Sequence, residues 1–201
     1  MKSIFLAVLH QGSLSTELAF RLPLIAQDER FKVKVVQYGH KPISQNRNKI
    51  VKDFLEKDYD YLAMVDSDTI PPTNILDLVL LDKDIIGGVC PQWREGDLYW
   101  VVMKEVAGGY KQVILKDRGG LKEVDAIGTG CIIIRRNVLE NIDIPFERKW
   151  VYGFQEIGLD FYFCKKAREK GFKVYAHWDY LCGHKKELDL LNVMQLLSRG
   201  K

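Results

Sequence analysis

The sequence predicts an α/β domain with a mainly parallel central sheet flanked by helices and a smaller antiparallel part. Up to residue 90, short apolar runs alternate with segments of helical period, an order typical of doubly wound sheets. Between residues 98 and 136 the pattern changes to short alternating runs over 98–104, 110–115 and 121–126, separated by glycine pairs, which indicates antiparallel strands joined by turns. We treat 1–201 as a single domain with halves 1–92 and 93–184 and a C-terminal helix over 185–201.

Composition narrows the function classes. The chain is 47% apolar and 28% charged, and its formal net charge of +3 gives no reason to expect a nucleic acid partner. No apolar segment approaches the roughly 20 residues that cross a bilayer. The four cysteines form no C-x-x-C pair and indicate reduced, mostly buried thiols in a cytoplasmic protein.

The first strand is predicted at residues 4–9 and is followed by a helix over about 16–27. The loop between them carries Gln11 and Gly12, at the sheet edge where ligands bind in such folds. Gly12 would let a nucleotide approach the backbone, or it serves only as a turn residue. Both residues are candidates for nucleotide binding.

A second strand is predicted at residues 31–37, and Ser44 is the expected cap of the next helix. The apolar stripe of this helix places Asn46 and Arg47 on the side that faces the strand ends. The Arg47 guanidinium would pair with a diphosphate or a base, or its stem packs while its head reaches solvent.

The stretch 58–72 carries the strongest signal in the chain. Its run 61–65 indicates a strand buried on both faces, so that Asp66 and Asp68 follow at the strand's carboxyl end with Ser67 between them. Two close carboxylates raise each other's pKa unless a cation compensates them, and a divalent metal carrying phosphate oxygens does so. The pattern therefore favours a metal-diphosphate site over the alternative, a cap of the next helix.

A helix over 73–81 and a strand over 84–90 follow, and Gly87 and Gly88 indicate close backbone approach. Trp93 lies in a polar segment, where an aromatic ring would stack on a sugar or cover the sheet edge. The residues Gly128, Thr129 and Gly130 precede a buried strand. They bring the backbone close to a ligand, or they mark a β-bulge.

The segment 153–172 predicts a helix in which Asp160 lies among apolar residues. An unpaired buried carboxylate is costly, so Asp160 is either a general base or the cap of a helix that begins at Phe161. A last strand over 172–176 leads to a turn at 181–184, where the His184 imidazole would complete the metal site. The leucine-rich tail is expected to pack on the sheet or on a second subunit, with membrane contact as the lesser alternative.

Taken together, several segments resemble the GT-A fold glycosyltransferases, in particular the family 2-like group of small bacterial, archaeal and phage enzymes. The resemblance implies that Asp66 and Asp68 hold Mn2+ or Mg2+ against the diphosphate of a nucleotide sugar, with Asp68 the more direct ligand and His184 a further one. The matching segments are ISQNRNKIV, the strand with DSD, GTGCIIIRR, LDFYFCKKAREKGFKVY and the late GH.

The acidic pair of this family corresponds to Leu159-Asp160, so its first acid is missing and its second is kept. In inverting relatives the retained acid deprotonates the acceptor hydroxyl, which implies that role for Asp160. The first half would bind the nucleotide sugar and the second half a carbohydrate, lipid-linked or other hydroxyl acceptor. The expected donor contacts are Gln11, Gly12, Asn46, Arg47 and Ser67, and the expected acceptor contacts are Trp93, Gly128, Thr129 and Gly130.

Three alternatives remain at this stage. A nucleotidyltransferase would use similar metal-phosphate chemistry and release pyrophosphate. A D-x-D-x-T phosphatase would use Asp66 as nucleophile, although that motif normally ends the first strand of its fold. The third is a noncatalytic scaffold that binds sugar nucleotides, for which the acid missing before Asp160 is the supporting feature. The C-terminal helix would mediate peripheral membrane contact or a homodimer.

Overall fold

The computed structural model describes residues 1–39, 41–94, 97–113, 119–151, 155–187 and 190–198. Helices and short strands alternate through the first part of the chain, and small antiparallel strands dominate the middle, as the sequence pattern predicts. In chain order the elements are β1 (Ser3–His10), α1 (Thr16–Ala26), β2 (Lys32–Gly39), α2 (Ile43–Leu55), β3 (Tyr61–Asp66), β4 (Thr69–Ile70), a 3-10 helix (Ile75–Leu81), β5 (Ile85–Val89), β6 (Pro91–Arg94), β7 (Asp97–Trp100), β8 (Val102–Val106), β9 (Gly109–Gln112), β10 (Leu121–Val124), β11 (Ala126–Ile127), β12 (Cys131–Arg135), α3 (Arg136–Glu140), β13 (Lys149–Val151), β14 (Gln155–Ile157), α4 (Leu159–Glu169), β15 (Val174–Leu181), β16 (Gly183–His184) and α5 (Leu190–Ser198).

A seven-stranded sheet with the order β10-β15-β5-β12-β3-β1-β2 forms the centre of the molecule. Strand β1 pairs in parallel with β2 and β3, and β15 pairs in parallel with β5. Strand β12 lies between β3 and β5 and is antiparallel to both, while β10 is antiparallel to β15. Five of the seven strands therefore run in one direction. This confirms the predicted fold class and adds one reversed strand at the centre.

Both faces of the sheet are buried, which explains the continuous apolar runs of its inner strands. Phe5 of β1 belongs to the cluster that α2 covers, and Ile4 belongs to the cluster on the opposite face, which α1 covers. This is the alternation that a strand's two-residue period requires. The side chains that the two helices bury are Ile50, Val51 and Phe54 from α2, and Leu18, Leu22 and Ile25 from α1.

Two predicted helix starts are wrong. Helix α2 begins one residue before Ser44, with Pro42 at the cap position and no capping side chain. The ring of Pro42 fixes φ at the entry to the helix, and it offers no polar side-chain atom that could cap the helix. Residues Gln155–Ile157 form β14 instead of a helical turn because they pair with β13, and α4 starts at Leu159. Asp160 therefore lies in the first helical turn and does not cap a helix that begins at Phe161.

The predicted strands also differ in extent. Strand β15 continues to Leu181 beyond the predicted end at residue 176, with a shift of register after His177. The following Gly183–His184 pairs with Thr69–Ile70 where a turn was predicted. The predicted strand 98–104 is divided between the β6-β7 hairpin and the three-stranded sheet β11-β8-β9. Part of the predicted strand 110–115 lies outside the described residues.

Close packing explains the glycine pair in β5. A Cβ on Gly87 would lie 2.7 Å from Ile127 Cδ1 and 2.8 Å from the Cys131 carbonyl oxygen. A Cβ on Gly88 would lie 2.7 Å from Cys182 Sγ. The predicted close approach is confirmed.

All four cysteines are buried and free of disulfides, as the sequence indicates.

Among the side chains of α5 that the structure describes, Leu190 is 76% exposed and Met194 is 66% exposed, so these two do not pack on the sheet. The alternative, packing on a second subunit, stays a prediction. None of the described helices is both long and apolar enough to span a membrane.

Candidate functional site

A cleft of about 900 Å³ lies along the carboxyl ends of β1 and β3. Its wall combines residues from the loop after β1, helix α2, the segment before β12, the start of α4 and strand β16. The predicted site residues that line it are Gln11, Asn46, Arg47, Asp66, Ser67, Asp68, Gly128, Gly130, Asp160 and His184. The structure therefore brings most of the predicted site into one cavity.

Backbone hydrogen bonds from both neighbouring segments hold the D-x-D turn, Asp66-Ser67-Asp68. The Asp66 N–H donates to the Gly130 carbonyl (3.0 Å), and the Ser67 N–H donates to the Leu9 carbonyl (2.7 Å). The Ser67 carbonyl accepts from the Ser15 N–H (2.9 Å), at the cap of α1. The turn is thus fixed to β12 on one side and to the first loop on the other.

The Arg47 guanidinium joins two acids of the cleft. Its Nη1 lies 2.5 Å from Asp160 Oδ1, and its Nη2 lies 3.2 Å from Asp66 Oδ2. The side chain is only 3% exposed because Arg47 lies on the buried stripe of α2. The sequence interpretation offered a nucleotide or solvent as its partner. In the structure its partners are two carboxylates.

Thr129 also forms hydrogen bonds with the Asp160 carboxylate. The Thr129 N–H donates to Asp160 Oδ2 (3.2 Å) and the Thr129 hydroxyl donates to Oδ1 (2.8 Å). Thr129 is fully buried. It contacts the acid of the cleft and does not line the cleft itself, while its neighbours Gly128 and Gly130 form part of the wall.

The surroundings of the Asp66 carboxyl group disfavour its charged form. Burial raises its pKa above the ordinary value, Arg47 opposes this increase, and the nearby Asp160 and Asp68 add to it. One guanidinium shared with Asp160 does not fully compensate the buried charge of Asp66. The position consequently favours additional positive charge.

Asp68 and His184 face each other across the β4-β16 pair. The His184 Nδ1 lies 2.7 Å from the Pro91 carbonyl oxygen, which can only accept, so Nδ1 carries a proton and Nε2 points at Asp68 Oδ2 (3.1 Å). This hydrogen bond raises the pKa of His184. Burial alone would raise the pKa of Asp68, but hydrogen bonds from His184 and Lys186 hold it at about 2.

The donor groups fit a divalent metal held jointly by protein and substrate. Within the described parts of the chain, no three His, Cys, Asp or Glu side chains lie close enough to hold an ion by themselves. Asp66 is paired with Arg47, and Asp68 and His184 are paired with each other, so a metal ion bound by both Asp68 and His184 would replace the hydrogen bond between them. Mg2+ commonly binds through one or two carboxylates and completes its coordination with waters and substrate phosphates. A carboxylate with an oriented imidazole matches that requirement.

Besides Thr129, two further predicted contacts do not line the cleft. Trp93 pairs with Leu98 in the β6-β7 hairpin, while its neighbour Gln92 lines the wall instead. Gly12 has a φ of +111° and donates its N–H to His10 Nδ1 (3.1 Å), so it forms a turn beside the cleft.

Sequence reasoning missed several groups of the wall. Lys186 Nζ lies 2.9 Å from Asp68 Oδ2, and Lys165 Nζ lies 2.7 Å from Glu105 Oε1. Tyr110 lines the cleft as well. A lysine pair directly after the late histidine was the available signal for Lys186.

The sheet order and the acidic turn at its carboxyl edge define a fold of the nucleotide-diphosphosugar transferase type. The same fold occurs in the crystal structure of A197 from STIV, with a TM-score of 0.62, 21% identity and coverage of 93% of this chain and 87% of that chain. The inositol-1-phosphate CTP transferase from T. maritima has a TM-score of 0.52 and 13% identity, over 96% of this chain and 94% of that chain.

The structure of GalNAc-T7 with UDP, GalNAc and Mn2+ is also similar, with a TM-score of 0.55 and 13% identity. The match covers 98% of this chain but 48% of the GalNAc-T7 chain, so this protein spans about half of that length. No protein-family model matches the chain, and no curated sequence is significantly similar to it. The comparisons establish a fold shared by GT-A glycosyltransferases and nucleotidyltransferases, and the family 2-like resemblance stays a prediction.

Proposed function

We propose that this protein is a metal-dependent glycosyltransferase that moves a sugar from a nucleoside-diphosphate sugar to an acceptor hydroxyl. One observation carries the proposal: Asp66, Asp68, Asp160 and His184 line one cleft at the carboxyl edge of the sheet. The structure of GalNAc-T7 with UDP, GalNAc and Mn2+ supports it through its similar fold.

On the donor side, Asp68 and His184 would hold Mn2+ or Mg2+. The bound metal would neutralise negative charge on the departing nucleoside diphosphate. Gln11, Asn46 and Ser67 would contact the nucleotide sugar, since all three line the same wall. To act as a ligand, His184 has to give up the Nε2 proton that it shares with Asp68, while its Nδ1–H remains on the Pro91 carbonyl.

On the acceptor side, Asp160 would accept the proton of the attacking hydroxyl. Arg47 and Thr129 hold its carboxylate, and the side chain is still 30% exposed toward the cleft. Oriented in this way, Asp160 would activate the hydroxyl for attack at the anomeric carbon with inversion. Leu159 occupies the position of the acid that is missing from the family's acidic pair, and its side chain is buried. Asp160 is therefore the one residue of the Leu159-Asp160 pair that would accept the proton.

The acceptor would be a carbohydrate, a lipid-linked sugar or another hydroxyl compound. The aromatic side chains Tyr99, Tyr110 and Phe161 line the cleft. Aromatic faces suit stacking on a sugar ring. We place the reaction in the cytoplasm, or at the cytoplasmic face of a membrane, on the basis of the four unpaired thiols.

The second candidate is a nucleotidyltransferase, because the inositol-1-phosphate CTP transferase has a similar fold over nearly its whole length. Such an enzyme would release pyrophosphate. The phosphatase alternative is less well supported, since its D-x-D-x-T motif normally ends the first strand of the fold, whereas Asp66 ends β3. A scaffold would bind nucleotide sugars without turnover.

Thermal melts with UDP, GDP, CMP and dTDP, each with and without Mn2+, would test the proposal. A ligand that binds the native state raises the melting temperature. We expect an increase that requires both Mn2+ and one nucleoside diphosphate, that is lost in Asp68→Ala, and that is kept in Asp179→Ala, a control at an exposed position of β15. Release of a nucleoside diphosphate from its sugar conjugate would support transfer, release of pyrophosphate would support the second candidate, and no shift with any nucleotide would contradict both.

A further inference from the structure

The segment after β16 runs directly beside the D-x-D turn. Gly183–His184 pairs with Thr69–Ile70, and the Lys185 N–H donates to the Asp68 carbonyl (2.8 Å). These backbone contacts fix where the next side chain begins. Lys186 therefore extends into the cleft and places its Nζ 2.9 Å from Asp68 Oδ2. Its neighbour Lys185 points away and pairs with Glu17 of α1.

Lys186 shares its carboxylate with a second donor. His184 Nε2 lies 3.1 Å from the same oxygen, Asp68 Oδ2. The Lys186 ammonium is charged and shares this one oxygen with the His184 ring, so the carboxylate does not occupy all of its N–H donors. An ammonium group has three N–H donors on a flexible stem. With its side chain 38% exposed, Lys186 can turn toward a ligand at little cost.

Two other cations of the wall, Arg47 and Lys165, are held more firmly. Arg47 is buried between two acids, and Lys165 is bonded to Glu105 away from the D-x-D turn. Arg148 also lines the wall. Lys186 combines exposure, flexibility and a position on the acid that would hold the metal-diphosphate group. A phosphate oxygen at that position would meet its ammonium.

Building on the proposed function, we propose that Lys186 is a diphosphate-binding residue: its ammonium turns from Asp68 to a phosphate oxygen of the nucleoside diphosphate. The charge is covalently attached to the protein, so part of the affinity for the diphosphate persists when no divalent metal is present. When Asp68 binds the divalent metal, the Lys186 ammonium remains beside the nucleoside diphosphate, which is the leaving group of the proposed transfer.

The test is nucleotide binding by calorimetry in EDTA. The probes are UDP, GDP, CDP and dTDP and the corresponding monophosphates. Lys186→Met removes the charge and keeps most of the stem, and the matched control is Lys185→Met, one residue away on the other side. We expect Lys186→Met to weaken diphosphate binding about tenfold, the loss of one charge-assisted hydrogen bond, with less than about threefold change for monophosphates and for the control. Lys186→Arg should restore most of the affinity.

The outcomes separate this inference from the proposed function. Unchanged diphosphate affinity of Lys186→Met in EDTA would overturn it, and so would absence of diphosphate binding by the wild-type protein in EDTA. If the wild-type protein then binds the diphosphate with Mn2+, the proposed function stands and only the role of Lys186 fails. Absence of nucleotide binding in both conditions would overturn both proposals.

Discussion

Arg47 Nη1 lies 2.5 Å from Asp160 Oδ1, and the two residues are 113 positions apart in the chain. This contact joins helix α2 to the first turn of α4 across the cleft. Through Nη2 the same guanidinium reaches Asp66 at the end of β3. Helix α2, strand β3 and helix α4 are therefore coupled through one buried side chain.

Replacing Arg47 with alanine should destabilise the protein strongly. The substitution leaves Asp66 and Asp160 without their buried cation and opens a cavity, and breaking such a pair costs about 3 kcal/mol. Urea denaturation would measure the loss. Lys49→Ala on the same helix, which removes only an exposed pair with Asp53, should cost less than about 0.5 kcal/mol. Equal effects of the two variants would contradict a structural role for the Arg47 bridge.

Gly87→Ala should destabilise the central sheet by about 2 kcal/mol, the usual cost of overpacking. The new Cβ would lie 2.8 Å from the Cys131 carbonyl oxygen, a backbone atom of the neighbouring strand that cannot turn away. Gly183→Ala is the control, since its nearest contact would be Ile70 Cβ at 3.4 Å. Chemical denaturation should show less than about 1 kcal/mol change for the control. A stable Gly87→Ala variant would show that β5 and β12 can separate.

Asp60 should make stability depend on pH at the acidic end. The Ser3 N–H and hydroxyl donate to Asp60 Oδ2 (2.7 and 2.8 Å) and lower the pKa of this carboxyl, the N–H contributing most. A carboxyl group whose pKa is lowered by folding stabilises the protein at pH values above its unfolded-state pKa, which is about 3.9. This contribution is lost as the pH falls through the folded-state pKa.

The free energy of unfolding of Asp60→Asn and the wild type, measured from neutral to acidic pH, would test this dependence. The wild type should be the more stable at neutral pH, and the difference should shrink as the solution becomes acidic. A difference that stays constant over this range would show that the Asp60 charge is not involved.

The D-x-D turn could be predicted from the sequence because its signal is local: an apolar run, two acids and prolines follow one another in one stretch. The position of Asp160 on a partly buried helical face is equally local. Both inferences depend on periodicities that neighbouring residues define by themselves.

The Arg47 bridge and the position of Lys186 could not be predicted in this way. The helical period places Arg47 on the side of α2 that faces the strand ends, but its contact with Asp160 joins residues 113 positions apart, which no local pattern indicates. Lys186 reaches Asp68 through a two-strand pairing, β4 with β16, whose strands are too short for a recognisable pattern. Tertiary pairing of this kind also turned Gln155–Ile157 from the predicted helix into a strand.

Asp160→Asn separates proton transfer from positioning. An asparagine Oδ1 can still accept from Arg47 Nη1 and from the Thr129 hydroxyl, while only the Thr129 N–H loses its acceptor, so most of the shape of the site should persist while the proton acceptor is lost. If Asp160 is the general base of the proposed transfer, the turnover rate should fall by about 10²- to 10⁴-fold. The affinity for the nucleoside diphosphate should change by less than about twofold, because Asp160 would act on the acceptor and not on the donor.

The matched control is Thr129→Val, which removes one hydrogen bond from behind the carboxylate and keeps the base. Its turnover should fall by about tenfold, the equivalent of one hydrogen bond to a charged group. Single-turnover transfer and calorimetric binding would be measured on the same preparations. If Asp160→Asn transferred sugar as fast as Thr129→Val, Asp160 would only support the architecture of the cleft, and the proton would have to leave through another group of the wall.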